Sequence, residues 1–174
     1  MKKFNAKCLT VTALLMASAP VFAQAELDID WQKPDEYRDV KPVSQTKASY
    51  QKHVFKTLAE ELTKQLEDLP DGYKLSMTVT NLDLAGEVWP GMMVGIDTSS
   101  DIRLVKQMDI PRMDFSYQLT DASGVVVKEG DEELKDMAFM DRGSRIGSRQ
   151  PLYYEKEMLK RWVRETFSDY MTRK

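Results

Sequence analysis

Cysteine and histidine are nearly missing from this sequence: Cys8 and His53 are the single representatives of each. A lone cysteine cannot form an intrachain disulfide, and one histidine without a second thiolate or imidazole cannot assemble a zinc site. A serine triad would need His53 as its base, and no G-x-S-x-G elbow is present. His53 itself falls opposite the apolar face of a helical stretch, beside Lys52 and Lys56, where it reads as a solvated surface histidine. Common hydrolase and metalloenzyme routes are therefore mostly closed, and no cofactor or metal is expected.

Long hydrophobic runs are equally scarce. The one that exists, Cys8 to Ala19, follows Lys2, Lys3 and Lys7 and leads into Val21-Phe22-Ala23-Gln24-Ala25. A basic start, a short apolar run and small residues spaced for cleavage after Ala23 or Ala25 describe a secretory signal peptide. The run is too short to span a bilayer. Cys8 stands ahead of it, where a lipoprotein cysteine would have to follow it. The expectation is an exported, periplasmic protein of a Gram-negative cell envelope, with residues 1–23 removed and 24–174 forming a single domain. Cleavage removes Cys8 and three lysines, which leaves 22 basic residues against 28 acidic ones, a net charge of −6. Such a chain gains nothing overall from nucleic-acid phosphates or anionic lipid, so nucleic acid is not an expected partner.

The remaining chain alternates clear patterns with polar turns. Leu27, Ile29 and Trp31 alternate with Asp28 and Asp30 as a first strand, followed by a polar loop holding Pro34 and Pro42. From about Ala48 to Leu69 the period becomes helical, with Tyr50, Val54, Phe55, Leu58, Leu62, Leu66 and Leu69 on one half of the wheel. Pro70-Asp71-Gly72 stops it. Tyr73 to Glu87 starts as an alternating strand on Leu75, Met77 and Val79, then changes parity at Leu82 and Leu84, which predicts a bulge or strand end near Asn81. Val88 to Asp101 reads as a loop unusually rich in apolar surface, with Trp89, Met92, Met93, Val94 and Ile96. Ile102, Leu104 and Met108 suggest a strand halted by Pro111. Met113, Phe115, Tyr117 and Leu119 form the clearest strand, turned at Asp121 to Gly124 into a partner over Val125 to Leu134. Pro151 then opens a final helix with Leu152, Leu159, Trp162, Val163, Phe167 and Tyr170 on one face. The order β-α-β-β-β-β-α predicts an α+β fold: an antiparallel sheet of four to five strands with both amphipathic helices on one face.

Three groups of residues carry candidate chemistry. Asp83 and Glu87 flank the small pair Ala85-Gly86 at the end of a strand, with Trp89 just beyond. Arg142, Arg145 and Arg149, spaced by Gly and Ser, could grip phosphate or carboxylate groups, and they offer the best hint of an anionic ligand. Glu155 is out of place inside the apolar arc of the last helix. Either it stays at the rim and gains from the helix dipole, or it is buried and paired, with Arg103 or Arg112 as the candidates. A carboxylate pair drawn from Asp83, Glu87, Asp101 and Glu155 could support glycosidase-like acid–base work if two of them faced one cleft.

The pieces together resemble a family of exported proteobacterial proteins, domain of unknown function 3016. The resemblance rests on Asp30-Trp31 with Pro34, Tyr37 and Asp39; Leu69-Pro70 with Gly72 and Leu75; and Asp83-Leu84-Ala85-Gly86-Glu87. Pro111-Arg112, Tyr117 with Leu119, Asp121 with Gly124, and Tyr154-Glu155 with Leu159 and Trp162 complete it. It implies an exported single-domain protein and carries over no catalytic residue. The functional expectation is a non-enzymatic binding or interaction module of the envelope, recognising an anionic envelope ligand or a periplasmic protein. A carboxylate-based hydrolase of an envelope glycan and a purely structural envelope protein are the alternatives.

Overall fold

The computed structural model describes residues 24–95, 101–142 and 150–171. The proposed signal peptide, Arg145 and Arg149 lie outside them. Strands β1 (Glu26–Trp31), β2 (Lys74–Asp83), β5 (Arg112–Thr120) and β6 (Val126–Lys135) form one sheet in the order β1-β2-β5-β6. Strands β3 (Glu87–Pro90) and β4 (Asp101–Leu104) form a separate two-stranded arm. Helices α1 (Lys47–Leu66) and α3 (Tyr153–Phe167) pack against each other, while α2 (Phe139–Arg142) is a single turn.

The α+β class holds, with one pairing of opposite sense to the expected antiparallel sheet: β1 runs parallel to β2. The cause is the connection. α1 carries the chain back to the starting end of the sheet, so the next strand runs the same way as the last, the usual outcome of a helical crossover. The β2–β5 and β5–β6 pairs are antiparallel. The predicted irregularity of β2 is present as a register shift between Val79 and Asn81. It turns Leu82 and Leu84 into the core that Val79 also faces. At the β5–β6 hairpin Gly124 has φ +81°, and the Asp121 carboxylate accepts from the backbone of Ser123 and Val125.

Helix α1 starts at Thr46, whose hydroxyl accepts the Ser49 N–H at 3.4 Å. It buries Val54, Leu58, Leu62 and Leu66, each worth about 1.5–3 kcal/mol of transfer free energy when fully covered. Trp31 stacks on Phe55 at 4.3 Å between centroids, with Tyr37 edge-on to the same ring. The Tyr37 hydroxyl donates to the Val79 carbonyl, and burial pushes its pKa up to about 12. At the other end Trp162 of α3 meets Phe115, Tyr117 and Phe167 edge-to-face. The last helix begins later than Pro151 implies: Pro151 lies in the preceding turn, and Leu152 takes a left-handed backbone with φ +55° before Tyr153.

Two local expectations change. Val88 to Pro90 are strand, paired antiparallel with β4, and Gly91–Val94 form a 3-10 turn, while Ile96 lies outside the described residues. Strand β4 ends at Leu104, and Met108 stands 78% exposed in the turn that follows. Neither Trp89 nor Met93 alternates cleanly with polar neighbours, which hid the short pairing. No described helix is long and apolar enough to cross a membrane.

Candidate functional site

The arm meets the main sheet at Asp83-Leu84-Ala85-Gly86-Glu87. Leu84 and Ala85 are buried, and Gly86 turns the chain with φ +82°. A Cβ on Gly86 would lie 2.6 Å from the Leu104 carbonyl oxygen, so only glycine allows β4 to come this close. The segment before α1 closes against the same turn: Asp39 bridges Asp83 in parallel, and Leu84 N–H donates to the Asp39 carbonyl at 3.3 Å.

Arg103 of β4 ties these pieces together. Its Nη1 donates to Asp39 Oδ2 and to the Gly86 carbonyl, both at 2.8 Å, and its Nη2 donates to the Lys41 carbonyl at 3.1 Å. A planar fork of donors can join three segments in this way, and a lysine could not. From below, Glu155 of α3 accepts the Ala85 N–H through Oε1 at 2.6 Å. Glu155 is thus buried, as one of the two sequence readings had it, but its described partner is a backbone amide. Arg103 makes its ion pair with Asp39, and Arg112 lies 4.0 Å from Asp83. Burial raises the Glu155 carboxyl above the ordinary value, opposed by the Ala85 N–H and by the charge of Arg103.

This clamp separates two concavities. A groove of about 700 Å³ runs between the arm and the Arg38–Lys41 segment, lined by Asp83, Glu87, Trp89, Met93, Met108 and Arg112 among others. Trp89 donates its indole N–H to Glu87 at 3.2 Å, and the Lys106 ammonium sits 4.3 Å over its ring. Asp83 lies 3.8 Å from Arg38 and 4.0 Å from Arg112. Its burial still raises the carboxyl, with Arg38 pulling it back down. Behind the clamp, a cavity of about 400 Å³ has Tyr50, His53, Leu84, Val105, Tyr154 and Glu155 on its wall.

Of the sequence candidates, Asp83, Glu87, Trp89 and Arg112 come together in the groove. Arg103 and Glu155 brace it from within. Asp101 is exposed at the start of β4. Arg142 lies elsewhere: with Arg161 it grips the carboxylate of Asp136, which is 3% exposed. That pairing ties down the guanidinium expected to greet an anion. Asp39 and Asp109 were missed as site residues: Asp39 stands in a polar stretch that reads as plain loop, and Asp109 in a segment that reads as a strand halted by Pro111. The one available signal was Tyr37, an aromatic in that loop, which marks a segment folded onto the core. Among the described residues no three of His, Cys, Asp and Glu are grouped so as to hold a metal ion.

Neither the curated proteins nor the solved structures include a match to this chain. The family model described as protein of unknown function, DUF3016, matches residues 25–165, most of the sequence and all of the groove, and the chain belongs to that family.

Proposed function

We propose that this protein is an exported, non-enzymatic binding module of the cell envelope whose contact surface is the groove beneath the β3–β4 arm. The observation that carries the reading is the placement of Trp89, Met93 and Met108 beside a walled concavity. Met93 and Met108 are 74% and 78% exposed, and methionines adapt to varied partners. Export rests on the basic, apolar and small-residue pattern of residues 1–25. The groove replaces the arginine loop as the centre of the reading, since Arg142 is held by Asp136.

Thermal melting of residues 24–174 against lipopolysaccharide, peptidoglycan fragments, phosphorylated sugars and neutral oligosaccharides tests this. A ligand of the native state raises the midpoint by mass action. The shift is expected to disappear in a Trp89→Ala, Met93→Ser variant and to persist when Arg145 and Arg149 are both changed to alanine. Loss with the arginine changes alone overturns the groove assignment.

A hydrolase reading keeps one specific support: Asp83 and Glu87 line the same groove, and Asp83 is a half-buried acid with a raised pKa. Mass spectrometry of each ligand recovered after incubation separates the two. Cleavage that vanishes in Asp83→Asn and Glu87→Gln would make the module an enzyme.

A further inference from the structure

The charges of the groove restrict what can enter it, and this step rests on reading the groove as the contact surface. Its wall sets Arg38, Lys41 and Arg112 against Asp39, Asp83, Glu87 and Asp109. Arg38 and Arg112 both face Asp83, so one carboxylate is shared by two guanidinium groups and the wall presents both signs of charge side by side. Asp39 is already paired with Arg103, so an anion entering here meets Asp83, Glu87 and Asp109, and a cation meets the three basic groups. Either would be desolvated beside like charge.

Hydrogen-bonding capacity, by contrast, is left over in both senses. Among the described residues, three that line the groove carry buried polar atoms without a hydrogen-bond partner: the acceptors Asp39 Oδ1 and Asp109 Oδ2, and the donor Arg112 Nε, which stands 4.0 Å from Asp83, beyond hydrogen-bond reach. Asp39 is only 7% exposed. Buried polar atoms are nearly always paired, and three exceptions on one wall call for an account. They are closed off from bulk solvent, so a ligand couples to them through a bridging water or a rotamer change at the wall. The partner that serves surplus donors and acceptors together, without adding charge, is a hydroxyl. Trp89, Pro90, Met93 and Met108 supply an apolar platform beside these groups for the C–H face of a ring. We infer that the groove binds a neutral polyhydroxylated ligand, a short saccharide segment, in preference to an anion.

The test follows the three indole N–H resonances, from Trp31, Trp89 and Trp162, in the nitrogen-15 spectrum of the folded protein. Neutral oligosaccharides of glucose, galactose, mannose and N-acetylglucosamine are titrated in parallel with inorganic phosphate and glucose 6-phosphate. The expected result is movement of Trp89 with at least one neutral oligosaccharide, with Trp162 unmoved. Trp89→Ala should weaken that binding by about tenfold or more, the size of one lost aromatic contact. Unchanged Trp31 and Trp162 signals verify that the variant is folded, and Asp109→Asn provides a second groove change that leaves the indole in place. Movement with phosphate but with no neutral sugar overturns the ligand class while leaving the groove reading intact. No movement of Trp89 with any sugar also overturns it, and the groove reading is then decided by the envelope-ligand melting series.

Discussion

The carboxyl of Glu155 and the backbone amide of Ala85, 70 residues apart in sequence, meet at 2.6 Å beneath the candidate groove. This contact fixes the turn from which the arm departs. It also accounts for an acid on the apolar face of α3: the last helix needs an acceptor at this depth, where a leucine would leave an amide unanswered.

Removing that acceptor should be costly. Glu155→Leu is expected to lower stability by about 1–3 kcal/mol, the cost of orphaning a buried donor, whereas Glu155→Gln keeps an acceptor and should lose less. The two differ from wild type in pH dependence as well. The folded carboxyl titrates above its ordinary value of 4.5, so the native state binds this proton more tightly than the unfolded chain does. The group's contribution to stability is therefore fully present below that ordinary value and is lost as pH rises through the raised folded pKa. Urea melts across that window should show wild type losing stability relative to Glu155→Gln. A parallel pair of curves would contradict the assignment.

Arg103 should be irreplaceable as a clamp. Arg103→Ala leaves Asp39 buried without its cation, with an expected loss of about 2–4 kcal/mol, slightly below the range for fully buried pairs because the arginine side chain remains 17% exposed. Arg103→Lys should recover less than half, since one ammonium cannot span Asp39, Gly86 and Lys41. Denaturant unfolding of the two variants measures this directly.

Two glycines with nearly equal φ should respond differently. Gly86→Ala combines a left-handed backbone with a Cβ 2.6 Å from the Leu104 carbonyl, and should shift the arm and impair groove binding. Gly124→Ala, at φ +81° with nothing within 4 Å, should cost only the backbone term of about 1–2 kcal/mol. Similar effects of both on the arm's amide resonances would refute a tight approach at Gly86.

The Asp136 cluster predicts an asymmetric outcome. Arg142→Ala removes a half-exposed partner and leaves Arg161 in place at 2.6 Å, so its effect should be under about 1 kcal/mol. Asp136→Ala leaves two guanidinium groups facing each other and should cost several times more. Equal losses in calorimetric melting would show that the arginines do not share the carboxylate.

Much of the architecture follows from short-range pattern. The parity change between Val79 and Leu82 foretells the bulge, and Asp121 with Gly124 foretells the hairpin, because turn chemistry and side-chain alternation act over a few residues. The β3–β4 pairing was not legible. Four-residue strands flanked by proline, glycine and methionine carry too little period to stand out, and their pairing depends on Gly86 and Arg103 closing the base. The parallel pairing of β1 with β2 depends on where α1 packs.

The sequence by itself determined the class of fold, its amphipathic faces and the strand-end motif on which the arm is built. Tertiary structure alone decided which polar residues meet. Asp83, Glu87, Trp89 and Arg112 share one groove, while Arg142 is drawn away to Asp136. The physical reason is that burial and apolar periodicity are local properties of a chain. The partner of a charge is fixed by long-range packing, and each charge in the interior takes whichever counterpart the folded backbone delivers to it.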